Sequence, residues 1–234
     1  MNEILLIISV VLIYGAVLVA YRLFGKQGLF AFSVVATVLA NIEVLILVDA
    51  FGMEQTLGNV MFASTYLVTD ILSENEGKKD ASKAVYIGVF ASVLMLIFTG
   101  LWLLYTPSPA DVAMPAIKQI FSRTPRLMLA SVLGYAVSQR FDVWLYHAWW
   151  EFTSKKGDSR KFLWLRNNGS TLISQVVNTI LFPLVGFAGI YDTQTVIAIM
   201  ISSYVIYVFT SLLDTPVVYL ARRMKEKREK EIKN

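Results

Sequence analysis

The chain has 234 residues, 56% hydrophobic and 16% charged, with a mean hydropathy of +0.59, and its apolar residues fall in runs long enough to cross a bilayer. Zero cysteines and one histidine exclude thiolate chemistry, disulfides and the usual Cys/His metal sites, so no metal and no cofactor is expected. The net charge of +4 sits largely in short loops and a basic tail, which points to membrane topology and not to nucleic acid.

An all-α, polytopic transmembrane helical bundle forming a single domain over residues 1–234 is therefore expected. Ile4 to Tyr21 is an uncharged run of spanning length. It lacks the basic leader and small-residue cleavage site of a signal peptide, so it reads as a retained helix. Leu29 to Phe51 is the second span, interrupted by Asn41, Glu43 and Asp49; Asn41 lies about 18 Å along it, near mid-membrane. Leu57 to Ser73 is short and carries Asn59, Ser64, Thr65, Thr69 and Asp70 before Glu74. So polar a segment is unsuited to lipid and is expected inside the bundle, either spanning or re-entrant. Ala84 to Tyr105 is an ordinary span ending in Trp102 and Tyr105, where an interfacial aromatic belt sits.

Thr106 to Pro125 holds four of the six prolines and reads as the longest loop, in which Val112 to Phe121 could form a short surface helix. Leu127 to Trp150 is the fifth span, Ser170 to Ile190 the sixth and Thr195 to Leu220 the seventh. Residues 222–234 read as a solvated basic cytoplasmic tail.

Lysines and arginines should gather on cytoplasmic loops. With the N-terminus outside, the inner loops and tail hold Arg22, Lys26, Lys78, Lys79, Lys83, Lys155, Lys156, Arg160, Lys161, Arg166 and the tail cations from Arg222 to Lys233. The outer side holds only Lys118, Arg123 and Arg126. This split places the C-terminus in the cytoplasm, in a multi-pass protein of a prokaryotic cytoplasmic (inner, plasma) membrane.

Two polar stretches stand out. Arg166 to Asn178 puts a cation and two amides at the foot of an apolar helix and then drives Gln175 and Asn178 into it. Ser138-Gln139-Arg140-Phe141-Asp142 repeats the Ser-Gln-x-x-(Asp/Asn) pattern of Ser174 to Asn178. Asp142 stands eight residues before Trp150 and Asn178 eight after Ser170, so both lie about 12 Å from the inner ends of these spans and can meet. One reading is structural, with Asp142 pairing Asn178 or Arg140 to hold helices together. The other takes Asn41, Asp70, Gln139, Asp142, Gln175 and Asn178 as a ligand or ion path, because intramembrane polar groups at this density are costly. Tyr66 and Trp144, next to the polar faces, could stack on a planar ligand. His147, beside Trp149 and Trp150, reads as an interfacial histidine.

These residues carry a family resemblance. Asn41 in Leu-Ala-Asn-Ile, Thr69-Asp70-Ile71-Leu72-Ser73-Glu74 followed by Gly77, Tyr135-Ala136-Val137-Ser138-Gln139 with Asp142-Val143, and Ser170-Thr171-Leu172 with Ser174-Gln175 and Thr179 resemble the motifs of the queuosine precursor transporter family, from about Asn41 to Tyr219. The resemblance implies a membrane importer of 7-cyano- or 7-aminomethyl-7-deazaguanine, the bases used to make a modified tRNA nucleoside. It also implies a six-helix core, leaving Ile4 to Tyr21 as one extra N-terminal helix. The chain departs from the family at Asn178, where the sixth-span motif usually ends in aspartate.

A deazaguanine is flat, with a lactam carbonyl, ring N–H groups and an exocyclic amine along one edge. Carboxylates accept from the N–H and amine pair and amides both donate and accept, which suits Asp, Asn and Gln as readers of a purine-like small molecule. No Gly-x-x-x-x-Gly-Lys-(Ser/Thr) loop is present, so the chain is not itself an ATPase of that class. Proton coupling through Asp70, Glu74 or Asp142, trapping after facilitated diffusion, and docking on a separate energy-coupling ATPase module remain open, as does a homo-oligomer. Ala16 and Ala20 on the first helix could form a docking face. With neither HExxH nor Gly-x-Ser-x-Gly in the chain, an enzyme is not expected.

Overall fold

The computed structural model describes residues 1–122, 125–155 and 161–233. Arg123, Lys156, Arg160 and Asn234, which enter the charge and tail readings above, lie outside the described residues. The element order is α1 (Asn2–Phe24), α2 (Lys26–Glu43), β1 (Leu47–Ala50), β2 (Met53–Thr56), α3 (Gly58–Asn75), α4 (Lys78–Trp102), α5 (Met114–Phe121), α6 (Pro125–Ser154), α7 (Leu163–Phe187) and α8 (Thr193–Lys233).

Among the described residues the protein is all-α apart from one small hairpin. Four helices among them, α1, α4, α7 and α8, are long and apolar enough to cross a membrane by length and composition. Helices α2 and α3 are shorter, and α6 carries Arg140 and Asp142 within its apolar run. Large apolar side chains such as Ile7, Leu12, Val19, Phe90, Ile97, Ile201 and Phe209 stand exposed around the bundle, a surface far more apolar than water tolerates and suited to lipid.

Helix α3 is the axis. It packs against α1, α2, α4, α6, α7 and α8, and every residue from Gly58 to Ser73 is buried. The polar composition of this segment is thereby explained: it never meets lipid, and the hydroxyls of Ser64, Thr65, Tyr66 and Thr69 bond back to its own carbonyls or across to neighbours. Ser64 donates to the Met61 carbonyl at 2.6 Å and Thr65 to Phe62 at 2.6 Å.

Around this axis α1 docks with a stripe of Leu6, Val10, Tyr14, Val17 and Tyr21, a spacing of three and four residues that keeps one face inward. The Tyr14 hydroxyl donates to the Thr210 carbonyl at 3.0 Å and Tyr21 to Glu76 at 3.0 Å. Ala16 remains exposed, whereas the Ala20 backbone closes on Gly28 of α2, where no Cβ could fit.

The second span departs from expectation. Helix α2 begins at Lys26 and ends at Glu43, and Leu47 to Thr56 form an antiparallel hairpin with Ala50 opposite Met53. The two turn residues, Phe51 and Gly52, both have positive φ, 55° and 71°, as a tight turn matched to strand twist requires. Helix α1 anchors this hairpin: Asn2 donates to the Asp49 carbonyl at 2.9 Å and the Phe51 N–H donates to Glu3 at 3.3 Å. Asn41 therefore stands in the last turn of α2, not midway along a longer helix. The hairpin marks one end of the bundle, and the loops rich in lysine and arginine mark the other, the basic end.

Two further segments behave as follows. The expected surface helix forms as α5, with no buried residue. The basic tail is not a loose chain: α8 runs on as helix to Lys233, with Lys225 bonded to the Asn75 carbonyl and Arg228 reaching the Tyr21 and Arg22 carbonyls. The Tyr21 and Arg22 carbonyls lie in the last turn of α1, where a cation complements the helix dipole.

Candidate functional site

A column of buried polar groups follows α3 from the hairpin end to the basic end, closed in by α6, α7 and α8. Helices α6 and α7 run antiparallel, so the two Ser-Gln-x-x-(Asp/Asn) stretches overlie head to tail. The first residue of one thus meets the last of the other: Ser174 donates to Asp142 at 2.9 Å. One turn away on α3, Asp70 accepts from Thr171 at 3.1 Å. Tyr66 donates to Ser138 at 2.7 Å, and Gln139 is held by Thr65 at 2.6 Å and Thr69 at 3.1 Å.

Several of these groups are left incomplete. Among the described residues, Asp70 Oδ1, Asp142 Oδ2 and both amide atoms of Gln175 are buried without a hydrogen-bond partner. Such atoms cost about 1–3 kcal/mol each when unsatisfied, and these stand on α3, α6 and α7. No group of three or more His, Asp or Glu among the described residues is placed to hold a metal ion.

Asn178 and Asp142 do not meet. Asn178 donates to the Tyr207 hydroxyl at 3.4 Å and packs its amide oxygen where a side chain on Gly134 would stand, some two turns from Asp142 along α6. The equal-depth expectation fails because the helices outrun their apolar segments: α6 continues to Ser154 and α7 begins at Leu163. Asn41 lies apart from this column, donating to Thr37 at 2.8 Å and to Ser92 of α4 at 3.2 Å.

Two expected neighbours face elsewhere. Trp144 is 53% exposed and stacked on Phe141 at 13°; two residues beyond Asp142 is about 200° around the helix, which turns it to the lipid side. Arg140 is exposed too, bonded to the Tyr86 hydroxyl and lying 5.6 Å from that ring's centre, so it forms no pair with Asp142. His147 stacks on Trp150 at 11° and is half-buried, outside the column.

The basic end of the column is closed by ions. Glu74 meets Arg166 at 2.8 Å and Arg222 at 3.3 Å and accepts from Tyr146 at 2.7 Å, while the Arg166 guanidinium lies 4.2 Å from the Trp150 ring centre. The cation and amides that open the sixth span thus divide their work: Arg166 ties α7 to α3, and Asn167 ties it to α8 through Asp214 at 2.6 Å. Asp214 escaped the sequence reading, although a lone carboxylate in the apolar run Thr195 to Leu220 was its signal. Asp70, Asp142 and Asp214 meet neutral donors. Glu74, by contrast, is paired with two arginines.

A family model described as "Putative vitamin uptake transporter" matches residues 56–221, a range that contains α3 to α7 and the length of α8 that lines the column. The chain belongs to that family. Within the vitamin uptake transporter family it is similar to a Bacillus subtilis (strain 168) protein named "Probable queuosine precursor transporter", with 41% identity over 210 residues, 89% of each chain. No solved structure matches it.

Proposed function

We propose that this transporter carries a queuosine precursor, 7-cyano- or 7-aminomethyl-7-deazaguanine, across the prokaryotic cytoplasmic membrane through the polar column between α3, α6, α7 and α8. The observation that carries this reading is the 41% identity to the Bacillus subtilis protein over 89% of both chains. The column supplies matching chemistry: the free oxygens of Asp70 and Asp142 accept from the ring N–H and amine, and the Gln175 amide, with no partner among the described residues, both donates and accepts along the same edge. Gln139 and Tyr66 complete the set as positioning groups already tied to neighbours, while Asn178, tied to Tyr207, stands some two turns nearer the hairpin end.

In this reading α2, α3, α4, α6, α7 and α8 form the six-helix core, with α1 as the added N-terminal span. The basic end faces the cytoplasm and the hairpin end faces out. Burial of the carboxylates beside neutral donors leaves Asp70, Asp142 and Asp214 as the groups through which a cation could be coupled. Uptake of labelled base by cells expressing this chain alone, in a host without an importer of its own, tests the proposal. Time-dependent accumulation is expected, no accumulation by correctly inserted protein overturns it, and accumulation only with a co-expressed ATPase module would make the chain a substrate-binding subunit.

A further inference from the structure

A polar pocket lies nearer the hairpin end, about 30 Å³ in volume, with Asn59 and Phe62 of α3, Ser131 of α6, Asn178 and Phe182 of α7 and Tyr207 of α8 among its lining residues. We propose that it is a separate recognition station for the transported base, which takes a planar heterocycle with a lactam-and-amine edge before the base reaches Asp70 and Asp142. The inference rests on the transport reading above and extends it to residues that no motif marks: Asn59, Phe62, Phe182 and Tyr207.

Three observations support it. The first is chemical: two amides and a phenol share the pocket with two phenylalanine rings, and the Phe62 and Tyr207 rings stand 6.0 Å apart at 49°. Amides and a phenol donate and accept together, and the rings offer faces to a flat molecule. The second is the looseness of the hydrogen bonds. Asn178 to Tyr207 is 3.4 Å and Asn59 to Ser203 is 3.3 Å, with Tyr207 to Asn59 at 3.1 Å between them, whereas the deeper side-chain pairs Tyr66–Ser138, Gln139–Thr65, Thr69–Gln139, Thr171–Asp70 and Ser174–Asp142 run from 2.6 to 3.1 Å. A chain of long bonds is readily exchanged for bonds to a ligand, while the tight ones keep the helices in place.

The third observation is the wall. The pocket's present volume has room for no more than a few waters, so a bicyclic base enters only if one side yields. That side is the neck of the hairpin, where Gly58 touches α2 through backbone alone: a Cβ there would stand 2.8 Å from the Val44 nitrogen and 2.9 Å from the Ala40 oxygen. The Leu57 N–H to Ile46 carbonyl bond, 2.8 Å, closes the neck. At this contact backbone meets backbone, and the opening would begin here.

The test compares initial uptake rates of labelled base for wild type, Tyr207→Phe, Asn59→Ser and Ser131→Val, each quantified in the membrane. Tyr207→Phe keeps the ring and loses the hydroxyl; Ser131→Val narrows the pocket and removes no bond named here. The station predicts that all three raise the KM for uptake about three- to tenfold, the range of a lost hydrogen bond, with maximal rate near wild type. A packing role predicts otherwise: Ser131→Val, which fills space, leaves KM unchanged. Wild-type KM in all three variants, with normal uptake by wild type, overturns the station and leaves the transport reading standing. Absence of uptake by wild type overturns both.

Discussion

Glu74 on α3 and Arg166 on α7 meet at 2.8 Å with side chains 3% and 0% exposed. They stand 92 residues apart in sequence. Arg222 of α8 and Tyr146 of α6 converge on the same carboxylate, so a single side chain joins the four helices that line the column. A buried charge is tolerated only when paired, and removing one partner costs about 3–5 kcal/mol because the other is left behind.

Glu74→Leu should accordingly destabilise the protein strongly, and Arg166→Met likewise. The Glu74→Leu/Arg166→Met double change should cost less than the two single changes added together, since it leaves no charge of this pair buried alone. Thermal unfolding of the four proteins in one detergent measures the coupling. Additive losses would show that the pair does not hold the basic end shut.

Asp142→Asn keeps the shape of the side chain and its bond to Ser174 while removing the charge. Uptake at limiting base should fall about tenfold or more, the worth of a hydrogen bond to a charged group, with unchanged protein in the membrane. Uptake equal to wild type would assign Asp142 to helix packing.

Trp144→Leu should have little effect. The ring lies on the lipid side with 53% exposure, and surface changes of this kind alter free energies by about 0.5 kcal/mol, so KM should remain within about twofold of wild type. A large rise in KM would bring Trp144 back to the substrate.

Orientation can be read chemically because the chain has no cysteine. Single cysteines at Ser82 and Lys230 should react with an impermeant maleimide only in inverted vesicles, and one at Ser108 should react in intact cells. Labelling of Lys230→Cys from outside would reverse the assignment of the basic end.

At the far end of α8, Asp192 caps the helix: its carboxylate accepts from the Thr195 hydroxyl at 2.6 Å and the Thr195 N–H at 3.0 Å. The Thr195 side-chain bond and then the backbone bonds hold this carboxyl below its ordinary range. A carboxyl lowered on folding adds stability above its unfolded pKa, and that stability is lost as pH falls through the lower folded value. Asp192→Ala should therefore lower stability at neutral pH by an amount that vanishes in acid, as unfolding at pH 7 and below about pH 3 would show.

The sequence alone determined that this is an all-α membrane protein, where most of its long helices run, that Leu57 to Ser73 is interior, and which helix faces are polar. These properties are local: hydropathy sets burial in lipid, and a turn of about 100° per residue sets which side chains share a face. Tertiary structure decided which polar groups meet. The same local geometry puts Trp144 opposite Asp142, yet sequence proximity alone suggested they were neighbours. Asp142 finds Ser174, Asn178 finds Tyr207, and Arg166 passes Asp70 to reach Glu74. Those choices depend on the axial offset and rotation of separate helices, which follow from close packing at contacts such as Gly134 on Asn178 and Gly58 on Val44. The turn at Phe51-Gly52 was hidden for a related reason: a phenylalanine at positive φ is unfavourable in isolation, and here it sits in a hairpin anchored to α1 and hydrogen-bonded to Glu3.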